Sequence, residues 1–190
     1  MANLLIYAFT AGTANPTTTA AGLSGGACTN GSLYSFTANG DEGFASKPNI
    51  VAAPPASTTT AALAVTNNSY WYFTATPDAG KKLNFATLTL NAARGGSSTP
   101  RGIKIRSSVD SYVADLFSAA LLTAPSTWTA INIDLTGASF QGLTAAITFR
   151  FYIWAPTTSN TVDADDITLT GTVADAAATV SPNFIPFFWA

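Results

Sequence analysis

Apolar and polar residues alternate along several stretches of the chain. Residues 84–91, 102–107, 128–135, 145–154 and 165–173 each place every second residue on one mostly apolar face. A period of two is typical of a half-buried β-strand, so the sequence predicts a strand in each stretch. The apolar phase of the last four strands is expected to face the core and consists of Ile103, Ile105, Ile131, Ile133, Phe149, Phe151, Ile167 and Leu169.

Further strands are predicted by short apolar or aromatic runs in the sequence. Leu4–Phe9 and Ser32–Thr37 are compatible with strands, and an aromatic run begins at Tyr70. That run stops at Pro77-Asp78-Ala79-Gly80, where Pro and Gly favour a turn, either a hairpin or a loop crossing between sheets. In residues 84–91 the alternation places Phe85 on the threonine face, opposite the leucines.

One stretch, Ser111–Leu122, has a composition compatible with a helix, although a crossover or an irregular strand fits it as well. The chain has no strand–helix–strand rhythm and no fixed repeat period. Residues 1–173 are therefore predicted to form one all-β domain, an antiparallel β-sandwich that is most simply jelly-roll-like.

The composition changes after Val173. Residues 174–190 begin as a linker of small residues and end as an apolar arm with prolines at 182 and 186, which favour an extended tail. We expect this C-terminal arm to bind a partner subunit; the alternative is that it folds back over its own sandwich. Its candidate contact residues are Phe184, Ile185, Phe187, Phe188 and Trp189.

Composition and charge exclude several classes of protein. Charged residues make up 9% of the chain and hydrophobic residues 47%, which rules out intrinsic disorder. The net charge is −2 and the eight Lys and Arg residues are scattered, so no nucleic-acid partner is expected. No apolar run is long enough to span a membrane, and Met1–Thr10 lacks the positive charge of an export signal.

The usual catalytic residue types are scarce. The chain has no histidine, one glutamate (Glu42) and one cysteine (Cys28). It therefore lacks the commonest general base and metal ligand, and it cannot form an intrachain disulfide. We expect no catalytic residues, no enzymatic activity and no cofactor, and we expect Cys28 to be a small buried thiol.

An acidic cluster stands at the start of the last predicted strand. If Ile167 faces the core, alternation places Asp163 and Asp165 on that same side and Asp166 outside. Inward carboxylates need backbone donors, an arginine or Ca²⁺. Asp163 and Asp165 are thus either candidate Ca²⁺ ligands or residues that bond to the backbone.

Arg150, Tyr152 and Trp154 share the strand face opposite Phe149 and Phe151. A cation and two aromatic rings in one row are typical of interfaces, where Tyr, Trp and Arg are enriched. The same row could stack against sugar rings. A third possibility is that these side chains simply pack inside the protein.

Several motifs together resemble the β-sandwich domain of PEP-CTERM-type exoproteins of cyanobacteria and other bacteria. The similarity spans about residues 4–173 and is carried by Tyr7-Ala8-Phe9-Thr10, the run from Tyr70 to Gly80, 106–112, 140–144, 147–152 and 165–171. The resemblance implies a jelly-roll-like fold, an N-terminal signal and a C-terminal sorting anchor. This chain departs from the pattern at both ends. Similar domains also occur in phages of cyanobacteria, whose structural proteins need no signal.

These observations lead to a first hypothesis: a structural virion protein that decorates, or cements, the capsid of such a phage. Its partners would be the major capsid protein, other virion subunits and further copies of itself. It would be made in the host cytoplasm and lie on the capsid surface. A surface with few charges suits a protein packed among neighbours. The alternative is a carbohydrate-binding or adhesion module with a glycan partner, whereas a hydrolase lacks the residues for acid and base catalysis.

Overall fold

Two antiparallel sheets pack face to face as a jelly-roll-like β-sandwich. The structure is a computed structural model that describes residues 1–9, 13–40, 49–95, 100–120 and 127–177. Its strands are, in chain order, β1 (Ala2–Tyr7), β2 (Thr18–Thr19), β3 (Leu23–Gly25), β4 (Thr29–Asn30), β5 (Ser35–Gly40), β6 (Asn49–Ala53), β7 (Tyr70–Pro77), β8 (Lys81–Arg94), β9 (Gly102–Ser107), β10 (Phe117–Ala120), β11 (Thr129–Asp134), β12 (Ile147–Trp154) and β13 (Val162–Asp175).

The strands pair into two sheets, each with its own strand order. The first sheet runs β11-β8-β13-β1-β2, and β6, which also pairs with β5, lies beside the first part of β13. The second sheet runs β10-β9-β12-β7-β3, and β4 pairs with the start of β7. Every pair of neighbouring strands is antiparallel, so the predicted fold class is confirmed.

The core lies between the two sheets. All eight residues predicted to form it are at most 4% exposed. Aromatic side chains fill its centre: the rings of Trp71 and Phe151 stack with centroids 3.9 Å apart and planes 2° apart, and Phe73 packs on both Phe149 and Phe151. Alternation along β9, β11 and β12 therefore predicted the buried face correctly.

The Pro77–Gly80 turn carries the chain from the second sheet to the first. Lys81 N–H donates to the Asp78 carbonyl (2.9 Å), and Gly80 has a φ of 76°, a conformation that glycine adopts without a steric penalty. Because β7 and β8 belong to different sheets, the turn is a crossing loop and not a hairpin.

A β-bulge corrects the predicted face of Phe85. Gly171 pairs with Phe85 and Thr170 pairs with Thr87, so Ala86 is an extra residue on β8. The inserted residue shifts the alternation, and Phe85 is 2% exposed in the core instead of lying with the threonines. Gly171 permits the bulge because a Cβ there would lie 2.2 Å from the Asn84 carbonyl oxygen.

The predicted helical stretch is not helical in the part that the structure describes. A 3-10 turn (Ser108–Asp110) precedes it, and β10 occupies Phe117–Ala120, while residues 121 and 122 lie outside the described ranges. The α-helix of the described residues, α1 (Ala61–Thr66), is elsewhere. Its N-cap is Thr60, whose side chain accepts a hydrogen bond from Leu63 N–H, and the helix packs on the outer face of the second sheet.

The last strand extends beyond the predicted end of the domain at residue 173. β13 continues to Asp175, and Ala176 N–H donates to the Gly80 carbonyl (2.8 Å). Within the described ranges, no helix has the length and apolar character needed to cross a membrane.

Candidate functional site

The outer face of the second sheet carries a pocket of about 220 Å³. Its lining comes from two neighbouring strands and one loop: Tyr70 and Tyr72 on β7, Thr148 and Arg150 on β12, and Tyr112. The pairing of β7 and β12 explains this grouping, because Arg150 lies directly opposite Tyr72. All five side chains are half-buried, so the pocket is open to solvent.

Helix α1 covers one end of this face. Ala64 packs with Tyr152 and Trp154 in a small second cluster, and these two aromatic residues are 2% and 8% exposed. The Trp154 ring also lies over Gly102, where an added Cβ would approach it to 2.2 Å. The predicted row of Arg150, Tyr152 and Trp154 thus shares one face as expected, but only Arg150 is accessible to a partner.

The loop after β9 places Tyr112 in the pocket. Ser111 and Tyr112 have φ values of 60° and 64°, two successive left-handed residues that reverse the chain toward the sheet. Tyr112 is fixed at both backbone polar groups: its N–H donates to the Ser107 carbonyl (2.9 Å), and its carbonyl accepts from Arg106 Nη1 (2.8 Å). Asp110 completes the turn by accepting from the N–H groups of Val113 and Ala114.

Arg150 is the charged centre of the pocket. Its guanidinium carbon lies 3.7 Å from the centroid of the Tyr112 ring and 4.4 Å from that of Tyr70, within the range of a cation–π interaction. Nη1 donates a long hydrogen bond to Tyr152 Oη (3.4 Å). Burial acts to lower the pKa of Arg150, but the hydrogen bond to Tyr152 and the nearby tyrosines, which are ionised only at the high pH where an arginine titrates, outweigh burial and raise it.

The neighbouring strand β9 presents two more cations to the same face. Arg106 and Lys104 lie directly opposite Arg150 and Tyr152. Both bind Asp115, at 2.6 Å from Arg106 Nε and 2.7 Å from Lys104 Nζ. Burial acts to raise the pKa of Asp115, but its hydrogen bonds to the two cations outweigh burial and lower it. These two cations therefore share one carboxylate, which balances one of their two positive charges.

A second pocket, of about 200 Å³, lies on the first sheet and differs in chemistry. It contains no charged side chain, and its aromatic member, Phe85, is 2% exposed. Its lining comprises Met1, Asn84, Phe85, Ala86, Thr136, Gln141, Gly171 and Thr172.

The structure corrects the predicted orientation of the acidic cluster. Val162 and Ala164 belong to the core, as does Ile167, because a bulge between Asp165 and Thr168 inserts an extra residue into β13. Asp163 and Asp165 therefore point away from the core, although both are buried, at 0% and 3% exposed. Asp166 is exposed, as predicted.

The predicted Ca²⁺ role of Asp163 and Asp165 stays a prediction. Across the ranges that the structure describes, no three His, Cys, Asp or Glu side chains come together in a way that could hold a metal ion. Asp163 lies beside Gly95, where an added Cβ would approach Oδ2 to 3.0 Å. Nearby, the buried Arg101 donates to the carbonyls of Gly95 and Thr161.

Cys28 is 3% exposed, as predicted, and burial raises the pKa of its thiol. A raised pKa keeps the thiol protonated, and the protonated form is a poor nucleophile. This placement offers no support for a catalytic cysteine. The expectation that the protein is not an enzyme stays a prediction.

The predicted contact residues of the C-terminal arm, Phe184 to Trp189, lie outside the described residues. The roles given to the arm in binding a capsid or a further copy of the chain stay predictions. The boundary between the linker and the arm is untested for the same reason.

Sequence reasoning identified Arg150 but missed the three tyrosines around it. Tyr70 and Tyr72 occupy the polar phase of β7, between the core residues Trp71 and Phe73. Two large aromatic residues in the exposed phase of a strand were a usable signal. Tyr112 gave no such signal, because its position depends on the left-handed turn and not on alternation.

Comparison with known proteins gives a likeness at the level of the fold. No family model and no curated protein matches the chain. The K3 cleaved adhesin domain of Lys-gingipain from Porphyromonas gingivalis matches with a TM-score of 0.52 and 18% identity, covering 90% of this chain and all of that domain. An arabinose-bound GH51 α-L-arabinofuranosidase matches with a TM-score of 0.50 and 16% identity over 88% of this chain.

The matched part is only 26% of the arabinofuranosidase chain, so this protein spans about a quarter of that enzyme's length. A family 29 carbohydrate-binding module from Piromyces equi matches with a TM-score of 0.40 and 10% identity, covering 80% of this chain and 83% of the module. The likeness to the adhesin domain and to the arabinofuranosidase shows the β-sandwich fold alone, and function has to be argued from the site.

Proposed function

We propose that this protein is a carbohydrate-binding module that holds a glycan against the outer face of the second sheet. The observation that carries the proposal is the pocket in which Tyr70, Tyr72 and Tyr112 surround Arg150 and Thr148. The adhesin domain named above has the same fold, which supports a binding role by analogy.

The chemistry of the pocket suits a sugar. A sugar ring has apolar C–H faces and a rim of hydroxyl groups, so it needs flat apolar surfaces with hydrogen-bonding groups beside them. A tyrosine provides both, because its ring is apolar and its hydroxyl donates and accepts hydrogen bonds. Thr148 and Arg150 add a hydroxyl and further N–H donors in the same pocket.

The size of the pocket indicates how much of a ligand it takes. Its volume of about 220 Å³ is below the roughly 300–1,000 Å³ that is usual for sites enclosing a small molecule. We infer that the pocket takes one part of a longer chain, which continues over the exposed face of the sheet.

Affinity gel electrophoresis against a panel of polysaccharides, followed by calorimetry with the oligosaccharides that bind, tests the proposal. Tyr72→Ala and Tyr112→Ala should each weaken binding about tenfold or more, as expected for an aromatic anchor. Tyr34→Ala is the matched control, because Tyr34 is 69% exposed and lies outside the pocket.

The expected result is retardation of the native protein and of the Tyr34 variant, and loss of retardation in the two pocket variants. Two results would overturn the proposal: no glycan in the panel binds, or a glycan binds with the same affinity to all four proteins.

A further inference from the structure

Arg150 has no acidic partner in the part of the chain that the structure describes. Ion pairs in that part of the chain join Lys81 to Asp175 and join Lys104 and Arg106 to Asp115. Arg150 stands directly beside Arg106 in the sheet and is absent from all three pairs. On this face, Arg150 is thus the cation that has no carboxylate partner among the described residues.

The groups around Arg150 are neutral and leave most of its donors available. Tyr70 and Tyr112 contact the guanidinium through their rings, and Tyr152 accepts one long hydrogen bond from Nη1. A guanidinium carries five N–H donors arranged in a plane. In the described residues no second acceptor contacts Arg150, and this side chain lines the open pocket.

The charge around the pocket favours an anion. The described residues near it present three cations, Lys104, Arg106 and Arg150, and two carboxylates, Asp110 and Asp115. Asp110 already accepts from two backbone N–H groups of its own turn. An excess of positive charge here contrasts with the net charge of −2 for the whole chain.

We propose that the glycan is acidic, an inference that rests on the proposed function. An anionic substituent on the sugar binds the free donors of Arg150 while the sugar ring packs on the tyrosines. A planar guanidinium matches the two oxygens of a carboxylate or sulfate with paired hydrogen bonds. The half-buried position strengthens such a pair, because little water competes for the donors. A uronic acid and a sulfated sugar share this chemistry.

Calorimetry on the full chain with matched probes tests the proposal. Oligogalacturonate is compared with the same oligosaccharide after its carboxylates are reduced to alcohols, and dextran sulfate is compared with dextran. The proposal expects at least one anionic probe to bind roughly 10- to 100-fold more tightly than its neutral counterpart, as for hydrogen bonds to a charged group. The probe that binds identifies the anion as a carboxylate or a sulfate.

Substitutions assign the effect to Arg150. Arg150→Gln should remove the preference for the anionic probe, while Arg150→Lys, which keeps the charge but not the planar donors, should retain part of it. Lys82→Gln is the control, because it removes the same charge from the other sheet and should change affinity less than twofold. The melting temperature of each variant is measured first, so that a misfolded variant is recognised. If Arg150→Gln does not fold, Arg150→Lys is used in its place, and a partial loss of the preference for the anionic probe is then the expected result.

The possible failures are distinguishable. Equal binding of anionic and neutral probes, with Arg150→Gln unchanged and the tyrosine variants impaired, would overturn the acidic ligand and leave the carbohydrate-binding function standing. An anionic preference lost equally in Lys82→Gln would overturn it as well, because general charge would then explain the effect. Failure of every anionic and neutral glycan to bind would overturn both proposals.

Discussion

Truncating Phe151 to alanine should strongly destabilise the sandwich. Phe151 is 0% exposed and lies between the sheets, with its ring stacked on Trp71 at a centroid distance of 3.9 Å and tilted against Phe73 at 5.8 Å. Removing the ring leaves a cavity that the surrounding strands can fill only partly, since each is held by backbone hydrogen bonds to its neighbours.

The magnitude follows from burial and stacking. A buried Phe→Ala substitution costs about 3–5 kcal/mol. A favourable aromatic pair contributes about 0.5–1.5 kcal/mol beyond the area that it buries, which places this site in the upper part of the range, near 4–5 kcal/mol. For a domain of this size each 1 kcal/mol lowers the melting temperature by about 2–4 °C, so a fall of roughly 8–20 °C is expected.

Urea unfolding followed by circular dichroism measures the loss directly. With a slope of about 2 kcal/mol per molar urea, the midpoint of Phe151→Ala should fall by about 2 M. Phe151→Leu keeps much of the volume but loses the stack, and should cost about 1–1.5 kcal/mol. Val113→Ala is the control, because Val113 is 72% exposed and should change stability by less than about 0.5 kcal/mol.

Two outcomes would refute the reasoning. If Phe151→Ala lost less than about 1.5 kcal/mol, the ring would not be in a close-packed core. If the leucine variant were as unstable as the alanine variant, volume would not be the quantity that the core requires.

Three further predictions concern charge, metal and tail. Because the folded-state pKa of Asp115 is lowered and its side chain is 35% exposed, its two ion pairs should contribute about 1 kcal/mol or less. This stability is present above the unfolded pKa of about 3.9 and lost as the pH falls through the folded pKa. The melting-temperature gap between the native protein and Asp115→Asn should therefore be a few degrees at most at pH 7, begin to narrow near about pH 4 and vanish below the folded pKa; a gap independent of pH would contradict the pairing. Ca²⁺ takes about 6–8 oxygen ligands, and in the described ranges no three Asp or Glu side chains come together in a way that could hold a metal ion. Adding Ca²⁺ to chelator-treated protein should therefore leave the melting temperature unchanged. A rise in the melting temperature that disappears in Asp163→Asn would instead place an ion at that residue. If the C-terminal arm binds a partner subunit, as the sequence predicts, truncation after Ala177, which keeps all of β13, should abolish that binding with the melting temperature retained; a marked loss of monomer stability would show instead that the arm packs on its own sandwich.

Much of the fold could be predicted because alternation is a local signal. In β9, β11 and β12 the period of two is unbroken, and the side chains predicted to be buried are buried. The prediction failed at Phe85 and Asp163, each of which lies near a bulge. One inserted residue reverses the face of every residue beyond it, and nothing in the alternation marks where the insertion stands.

The site was less predictable because it is assembled by tertiary contacts. Arg150 was found from its strand alone, but Tyr152 and Trp154 are covered by α1, a helix of six residues that is too short to produce a helical period. Tyr112 reaches the pocket from a loop through a left-handed turn of two residues that are not glycine. The sequence pattern indicated which strand carries the site, and the packing decided which of its residues remain accessible.

The most direct test of the carbohydrate-binding account is to map the bound glycan on the protein by NMR. With ¹⁵N-labelled protein and an oligosaccharide that calorimetry shows to bind, the account predicts shift changes concentrated at the amides of Tyr72, Tyr112, Thr148 and Arg150, on the outer face of the second sheet. Shift changes concentrated instead around Asn84 and Gln141, at the pocket on the first sheet, would contradict it.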